Sequence, residues 1–307
     1  MRTTLLITAL LVAGCGVSEA QLDDSSADFD SETGELGTSS RTYVVFRKDF
    51  RKCSYPMCGG WYVHDVNRAE LREVYVPAFD FSASNLRTEE QQALVTNAPA
   101  NEVVLYGKLG ALKSGLRDFV VTTAWRGMPG VTFTEFSSGA DTFYRANPVT
   151  IQCIAAPCPN MQATKLHSTT KTMFHDLSVE RASMPQVDQN WLTFRITDKD
   201  ALVAGKIVDG AQVGAGREKV LDASQIFLKL PDMTQSCPRS SLPLCGGTKV
   251  NTWTRDHNRC TVPAACVQPG VCAAFVPACA AGYSLVSWTG GTRACTQYAC
   301  DPDWLLN

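Results

Sequence analysis

Two stretches of this chain, about a hundred residues apart, carry the same three landmarks in the same order. That duplication limits the possible fold more than any other feature. Cys53 and Cys58 enclose four residues with Pro56 among them, and Cys153 and Cys158 do the same around Pro157. Phe79-Asp80-Phe81-Ser82 then corresponds to His175-Asp176-Leu177-Ser178. Val103-Val104-Leu105-Tyr106-Gly107-Lys108-Leu109 corresponds to Ala201-Leu202-Val203-Ala204-Gly205-Lys206-Ile207. The near-constant offset predicts two copies of one domain, over 41–138 and 139–235.

The first copy reads as mostly strand. Thr42-Tyr43-Val44-Val45-Phe46 is rich in β formers although it alternates poorly, and Trp61-Tyr62-Val63-His64-Asp65-Val66 is a second strand. Glu73 to Phe79 continues as a third, with Pro77 confining its middle to a bulge or an edge. Thr88-Glu89-Glu90-Gln91-Gln92-Ala93-Leu94 has a capping residue and early acids, so it reads as a helix. Strands follow at 102–109 and 118–125. The second copy repeats the order, with a helix near Val187 to Leu192 and strands near 201–208 and 219–230. Three strands, a helix and two strands form the element order of a small OB-like barrel, and a β-sandwich fits the same order.

Residues 236–307 differ. They hold eight cysteines: Cys237, Cys245, Cys260, Cys266, Cys272, Cys279, Cys295 and Cys300. Their apolar residues are mostly Ala and Val, too little core to stand without cross-links. Gly282 to Trp288 reads as a strand and Gly290-Gly291 as a turn. With Cys53, Cys58, Cys153 and Cys158 this makes twelve cysteines, an even number, none in a Cys-x-x-Cys pair. The usual zinc-ribbon and thioredoxin-like spacings are absent, so structural disulfides in an oxidising compartment are expected. Sequence does not choose the connectivity within 237–300. The whole chain is thus expected to be mainly β, two tandem small barrels or sandwiches followed by a disulfide-rich module.

The thirteenth cysteine sits at the N-terminal end. Arg2 precedes the apolar run Leu5 to Ala13, which is shorter than the roughly 20 residues a bilayer span needs and suits a signal peptide. The run ends in Val12-Ala13-Gly14-Cys15, which resembles the lipobox of bacterial lipoproteins. The resemblance implies removal of residues 1–14, lipid on Cys15 and, with Gly16 rather than Asp following, outer-membrane placement. Residues 15–40, which include Asp23, Asp24, Asp28, Asp30 and Glu32 among serines, read as an acidic disordered tether.

Arg47-Lys48-Asp49-Phe50-Arg51-Lys52-Cys53-Ser54-Tyr55-Pro56-Met57-Cys58-Gly59-Gly60-Trp61-Tyr62-Val63, with Val66-Asn67, resembles a family of uncharacterised bacterial secreted domains with duplicated Cys-Pro-Cys motifs. The resemblance covers 41–235; the second copy departs from it, with Pro159-Asn160 in place of Gly59-Gly60. It carries over no catalytic residue and no cofactor.

Pro56-Met57-Cys58-Gly59-Gly60 recurs as Pro243-Leu244-Cys245-Gly246-Gly247. Proline fixes φ, glycine permits positive φ and the cysteine pins the loop, so both read as tight turns. A phosphate cradle would need a Lys-Ser/Thr ending and a helix start, which neither has. The histidines His64, His167, His175 and His257 are expected to be surface or hydrogen-bonded groups. Asp80 and Asp176 are expected to share a capping role. No Gly-x-Ser-x-Gly elbow occurs, and catalytic, cofactor and metal residues are all expected to be none. The aromatics Trp61, Tyr62, Tyr75, Phe79 and Phe81 are core candidates that in a surface stripe would bind glycan or peptide. Arg47, Lys48, Arg51 and Lys52 form a basic edge. A net charge of −2 gives no field for nucleic acid. These features favour a lipid-anchored envelope protein that binds a protein or glycan ligand, or acts as an inhibitor, and is not an enzyme. The rival readings are an envelope hydrolase with a site between the copies and a purely structural envelope protein.

Overall fold

The computed structural model describes residues 41–305, apart from 69, 99–101, 130–140, 152, 154–155, 183–186, 199, 231–236, 238–240 and 242–243. The leader, Cys15 and the tether lie outside the described residues, as do the expected boundaries at 138/139 and 235/236.

The chain is mainly β. In the first copy, β1 (Thr42–Lys48), β2 (Trp61–Asp65) and β3 (Val74–Val76) form an antiparallel meander. β4 (Phe79–Asp80) follows directly after Pro77, which divides the third strand as a residue without an amide N–H must. α1 (Thr88–Gln92) comes next and continues as a π turn over Ala93–Asn97. Its N-cap is Arg87 rather than Thr88, and the Arg87 N–H donates to the Glu90 carboxylate at 2.7 Å. β5 (Val103–Leu109) and β6 (Phe119–Gly127) complete the copy. β5 pairs with β1, and β4 runs parallel to β6, so the ring β1-β2-β3/β4-β6-β5 closes on itself. That closure makes it a five-stranded barrel in OB-like order rather than a sandwich.

The second copy closes the same way. It uses β7 (Thr142–Pro148), β8 (Met161–Lys165), β9 (Lys171–Phe174), β10 (Asp176–Ser178), α2 (Gln189–Asp198), β11 (Leu202–Val213) and β12 (Gly216–Leu230). Both copies bulge at the same glycine. A Cβ on Gly107 would lie 2.1 Å from the Val120 carbonyl oxygen, and one on Gly205 would lie 2.3 Å from that of Asp222. Aligned on these bulges, Asp80 stands opposite Val120, the counterpart of Asp222, whose own partner is Ser178. Asp80 and Asp176 therefore do not occupy equivalent positions: Asp80 corresponds to Ser178, two residues along the strand from Asp176.

The barrels are not independent. β6 and β12 pair antiparallel, Ala124 with Leu230 through Gly127 with Phe227, joining both copies in one hydrogen-bonded sheet. In the bulge-anchored alignment Arg126 is the counterpart of Leu228, and these two residues face each other. The joint thus has pseudo-two-fold symmetry. Asn67 and His167 repeat that symmetry, each at a φ near +60°. Asn67 bonds the Phe143 N–H (2.8 Å) and C=O (2.9 Å), while the His167 Nε2 lies 3.3 Å from the Tyr43 nitrogen and oxygen.

Three apolar cores follow. Val44, Phe46, Val103, Leu105 and Phe119 fill the first barrel; Phe174, Trp191, Leu192, Ile196 and Ile226 fill the second. Val45, Val66, Val104 and Trp125 meet Phe143, Leu166, Leu202, Ala204 and Phe227 between them. This third core explains why β1 fails to alternate: Val44 and Phe46 point into the barrel while Val45 points into the joint, so both faces are apolar.

The cysteine-rich segment forms two hairpins, β13 (Val250–Arg255) with β14 (Thr261–Val267) and β15 (Tyr283–Gly290) with β16 (Cys295–Pro302). Its bridges are Cys237–Cys260, Cys245–Cys266, Cys272–Cys295 and Cys279–Cys300, with sequence separations of 23, 21, 23 and 21. This module is itself a duplication. It leans on the second copy: Tyr283, Cys300 and Leu305 join that barrel's core. Arg255 forks onto Asp301 at 2.7 and 3.1 Å and reaches Asp188 at 3.6 Å, all nearly buried, and His257 stacks on Phe194.

Candidate recognition site

The connection from β1 to β2, residues 49–60, is held by a disulfide, an ion pair to the buried Asp49 and a tyrosine hydroxyl. Its neck is closed by the Asp49 N–H donating to the Gly60 carbonyl at 2.8 Å. Close packing there excludes a side chain, because a Cβ on Gly60 would lie 2.3 Å from the Val76 carbonyl oxygen. The buried Asp49 carboxylate accepts the Arg51 backbone N–H at 3.0 Å and a fork from the guanidinium at 2.9–3.0 Å. These bonds hold the Asp49 carboxyl below the ordinary aspartate range. The Arg51 guanidinium also donates to the Met57 carbonyl at 3.2 Å.

Across the sheet, Tyr62 and Tyr75 meet edge to face at 5.6 Å. Arg47 lies 4.3 Å from the Tyr62 ring centre, and Arg51 lies within 5.6 Å of both rings. Arg47 is itself forked by Glu73. The Tyr75 hydroxyl donates to the Pro56 carbonyl at 2.8 Å and accepts the Gly60 N–H at 3.2 Å. The Cys53–Cys58 bridge and a turn closed by Met57 N–H to Ser54 C=O complete the loop.

What this framework presents is apolar. Phe50 is 83% exposed, Tyr55 71% and Met57 65%, with Lys48 and Lys52 exposed alongside. Exposed aromatic and Met side chains on a braced loop fit contact with another macromolecule. Of the aromatics singled out by sequence, Trp61, Phe79 and Phe81 pack against the first barrel's core. Tyr62 and Tyr75 carry the arginines instead.

The histidines do not converge. His64 is on β2, opposite Val45, and His257 packs on α2. His167 sits in the joint beside Thr42 and Arg68, and burial lowers its pKa to about 4. His175 accepts the Lys219 N–H on Nδ1 at 2.8 Å and lines a cleft of about 230 Å³ with Asp176, Gln189 and Thr193 over Leu192 and Ile196. Asp80 lies in the other barrel and caps the Ser82 N–H at 2.9 Å. Among the described residues no group of three or more His, Cys, Asp or Glu side chains is placed to hold a metal.

The missed feature is the second duplication. The intervals between its eight cysteines repeat almost unchanged, and that repetition would have reduced the choice from 105 connectivities to about three, repeated in each half.

Barrel closure, a fused pair of copies and six disulfides define a mainly β protein suited to an oxidising, exported setting. No helix among the described residues is long and apolar enough to cross a membrane. Residues 42–233 match a domain of unknown function, DUF6748, and the chain belongs to that family. The match spans both copies as one unit. An uncharacterised protein of Dictyostelium discoideum is 25% identical over 264 residues, covering 83% of this chain and 84% of its own. No solved structure matches.

Proposed function

We propose that this is an exported, non-enzymatic recognition protein, held to an envelope membrane by lipid on Cys15, that binds an acidic-rimmed protein partner through the 49–60 loop. The observation that carries this is the exposure of Phe50, Tyr55 and Met57 on a loop braced by a disulfide, the Asp49–Arg51 fork and Tyr75. Tyr, Phe, Met and Arg are the residues enriched at protein interfaces, and bracing lowers the entropy lost on binding. Arg47 and Arg51 are paired with Glu73 and Asp49, whereas Lys48 and Lys52 are exposed beside the loop tip, and this surplus of positive charge favours an acidic rim on the partner.

The rival readings fit less well. Tyr62 and Tyr75 are covered by arginines, so this ring pair offers no open platform for a sugar. Residues 54–57 form a closed turn, whereas strand-lined clefts take extended segments, so substrate-like protease inhibition is disfavoured. The space between the copies is packed with Val45, Val104, Trp125 and Phe227, where a hydrolase would need a cleft.

A photo-crosslinking phenylalanine analogue at position 55 of the full chain, expressed in its own cells, tests the reading. The expected result is one discrete protein adduct that disappears when Phe50→Ser and Met57→Ser are added. Exported, fully oxidised protein that yields no adduct would sink the proposal. Mass spectrometry of the same material reads acylation at Cys15, and an unmodified thiol there would remove the anchor.

A further inference from the structure

A second exposed surface differs in chemistry from the first. From Cys260 to Thr292 the chain carries no acidic or basic side chain. At the middle of this run, residues 268–280 have no regular secondary structure, and Val271 through Val276 are all exposed. Val271 is 90% and Phe275 72% exposed, with Val276 beside them. Cys272–Cys295 and Cys279–Cys300 pin the segment at both ends. At its base the Gly270 N–H donates to the Arg293 carbonyl at 2.9 Å, and the Arg293 side chain lies against Gly270.

We infer that this loop inserts into the interfacial zone of a lipid bilayer. The apolar centre of a protein interface is ringed by a polar and charged rim. Here the flanking strand β14 and most of β15 are as free of charge as the tip. Two cations flank the base of the loop, Arg293 against Gly270 and Lys249 next to the Thr248–Gln268 hydrogen bond, placed where long basic side chains can reach lipid phosphates while their stems cover apolar surface. Irregular backbone leaves N–H and C=O groups unpaired, which bars it from the hydrocarbon centre and limits insertion to a depth of roughly 5–10 Å. Pro269 and Pro277 remove two of those donors. The inference does not depend on lipid at Cys15 or on the recognition loop.

The test uses the leaderless chain from Gly16 onward, without acyl groups, in flotation with vesicles of phosphatidylcholine and phosphatidylglycerol. Wild type should float. Phe275→Ser with Val276→Ser should lower partitioning roughly tenfold or more. Both positions are exposed, so intact mass showing six disulfides and an unchanged melting temperature confirm that the variant is folded. Phe275→Trp should still float, with its added emission quenched by shallowly brominated lipids. Tyr55→Ser should float like wild type. Wild type that stays down, a double variant that floats normally, or added emission in Phe275→Trp that stays unquenched each overturns the inference. So does loss of flotation in Tyr55→Ser, which would move the bilayer contact to the other loop, and so does an adduct from position 275 to a protein in place of flotation.

Discussion

The two Cys-Pro-Cys loops share a frame and differ in everything placed on it. Both necks close with the same backbone bond, Asp49 N–H to Gly60 C=O and Val149 N–H to Asn160 C=O, and both loops carry a bridge of the same span. Yet Asp49 is matched by Val149, Arg51 by Ile151, Arg47 by Asn147, Tyr62 by Gln162 and Tyr75 by Met173. The second loop has no cation and no aromatic ring. Pro157 instead lies against Gly216, at the turn of a β11–β12 hairpin longer than its β5–β6 counterpart. The disulfide and the neck are therefore the inherited scaffold. The cation–aromatic bracing and the exposed tip are what one copy has and the other lacks.

The sharpest way to break this comparison is to attack what the copies hold in common. Trp125 is buried in the joint and donates to the Asp200 carbonyl at 2.6 Å. Trp125→Ala should cost about 3–5 kcal/mol, and calorimetry should still show one transition, at lower temperature. Two separated transitions would mean that the barrels are separable domains.

A somewhat smaller effect distinguishes the two symmetric joint residues. His167 is neutral in the fold, its pKa lowered from 6.5 to about 4. The folded state therefore binds fewer protons than the unfolded chain. Its contribution is complete above about pH 6.5, is lost as pH falls towards 4, and amounts to roughly 3 kcal/mol. His167→Asn, which copies Asn67, should flatten the denaturation midpoint over that window. An unchanged pH slope would place the titration elsewhere.

Asp49 gives a more local contrast. Its carboxyl is held low by Arg51, so the bracing persists above the ordinary aspartate pKa and is lost only as pH falls below that range. Amide exchange at Met57 and Gly60, corrected for intrinsic rates, should accelerate in that acid window, while the amides flanking Val149 should show no such step. The smallest effect belongs to Arg47, whose pair with Glu73 is largely exposed. Arg47→Ala should change stability by about 0–1 kcal/mol yet weaken partner capture, which separates the folding role of that edge from its binding role.

Much of this fold was legible in the sequence because its signals are local. The duplicated Cys loops, the strand–helix–strand order and the break at Pro77 all rest on residue type and short spacing. Barrel closure was not legible, because parallel pairing of β4 with β6 depends on contacts about forty residues apart. The joint left only an indirect trace, the unbroken Tyr43-Val44-Val45-Phe46 run, whose second buried face needs a partner that no single copy supplies. Asp80 and Asp176 looked equivalent because each precedes a serine by two residues, and only the glycine bulges set the true alignment. In the candidate loop the cations and aromatics were visible as composition, but not that Arg47 and Arg51 lie over Tyr62 and Tyr75.

A joint in which a residue faces its own counterpart is the geometry of a symmetric homodimer. Arg126 opposite Leu228, with Asn67 and His167 reaching across in reciprocal fashion, gives the two copies the relation that the subunits of such a dimer have. In a homodimer every substitution appears in both halves at once, so neither half can specialise without the other. Two copies within one chain carry no such constraint. One loop carries arginines braced on tyrosines, while the other has no charge and rests against a lengthened hairpin, a division of labour open only to copies that differ in sequence.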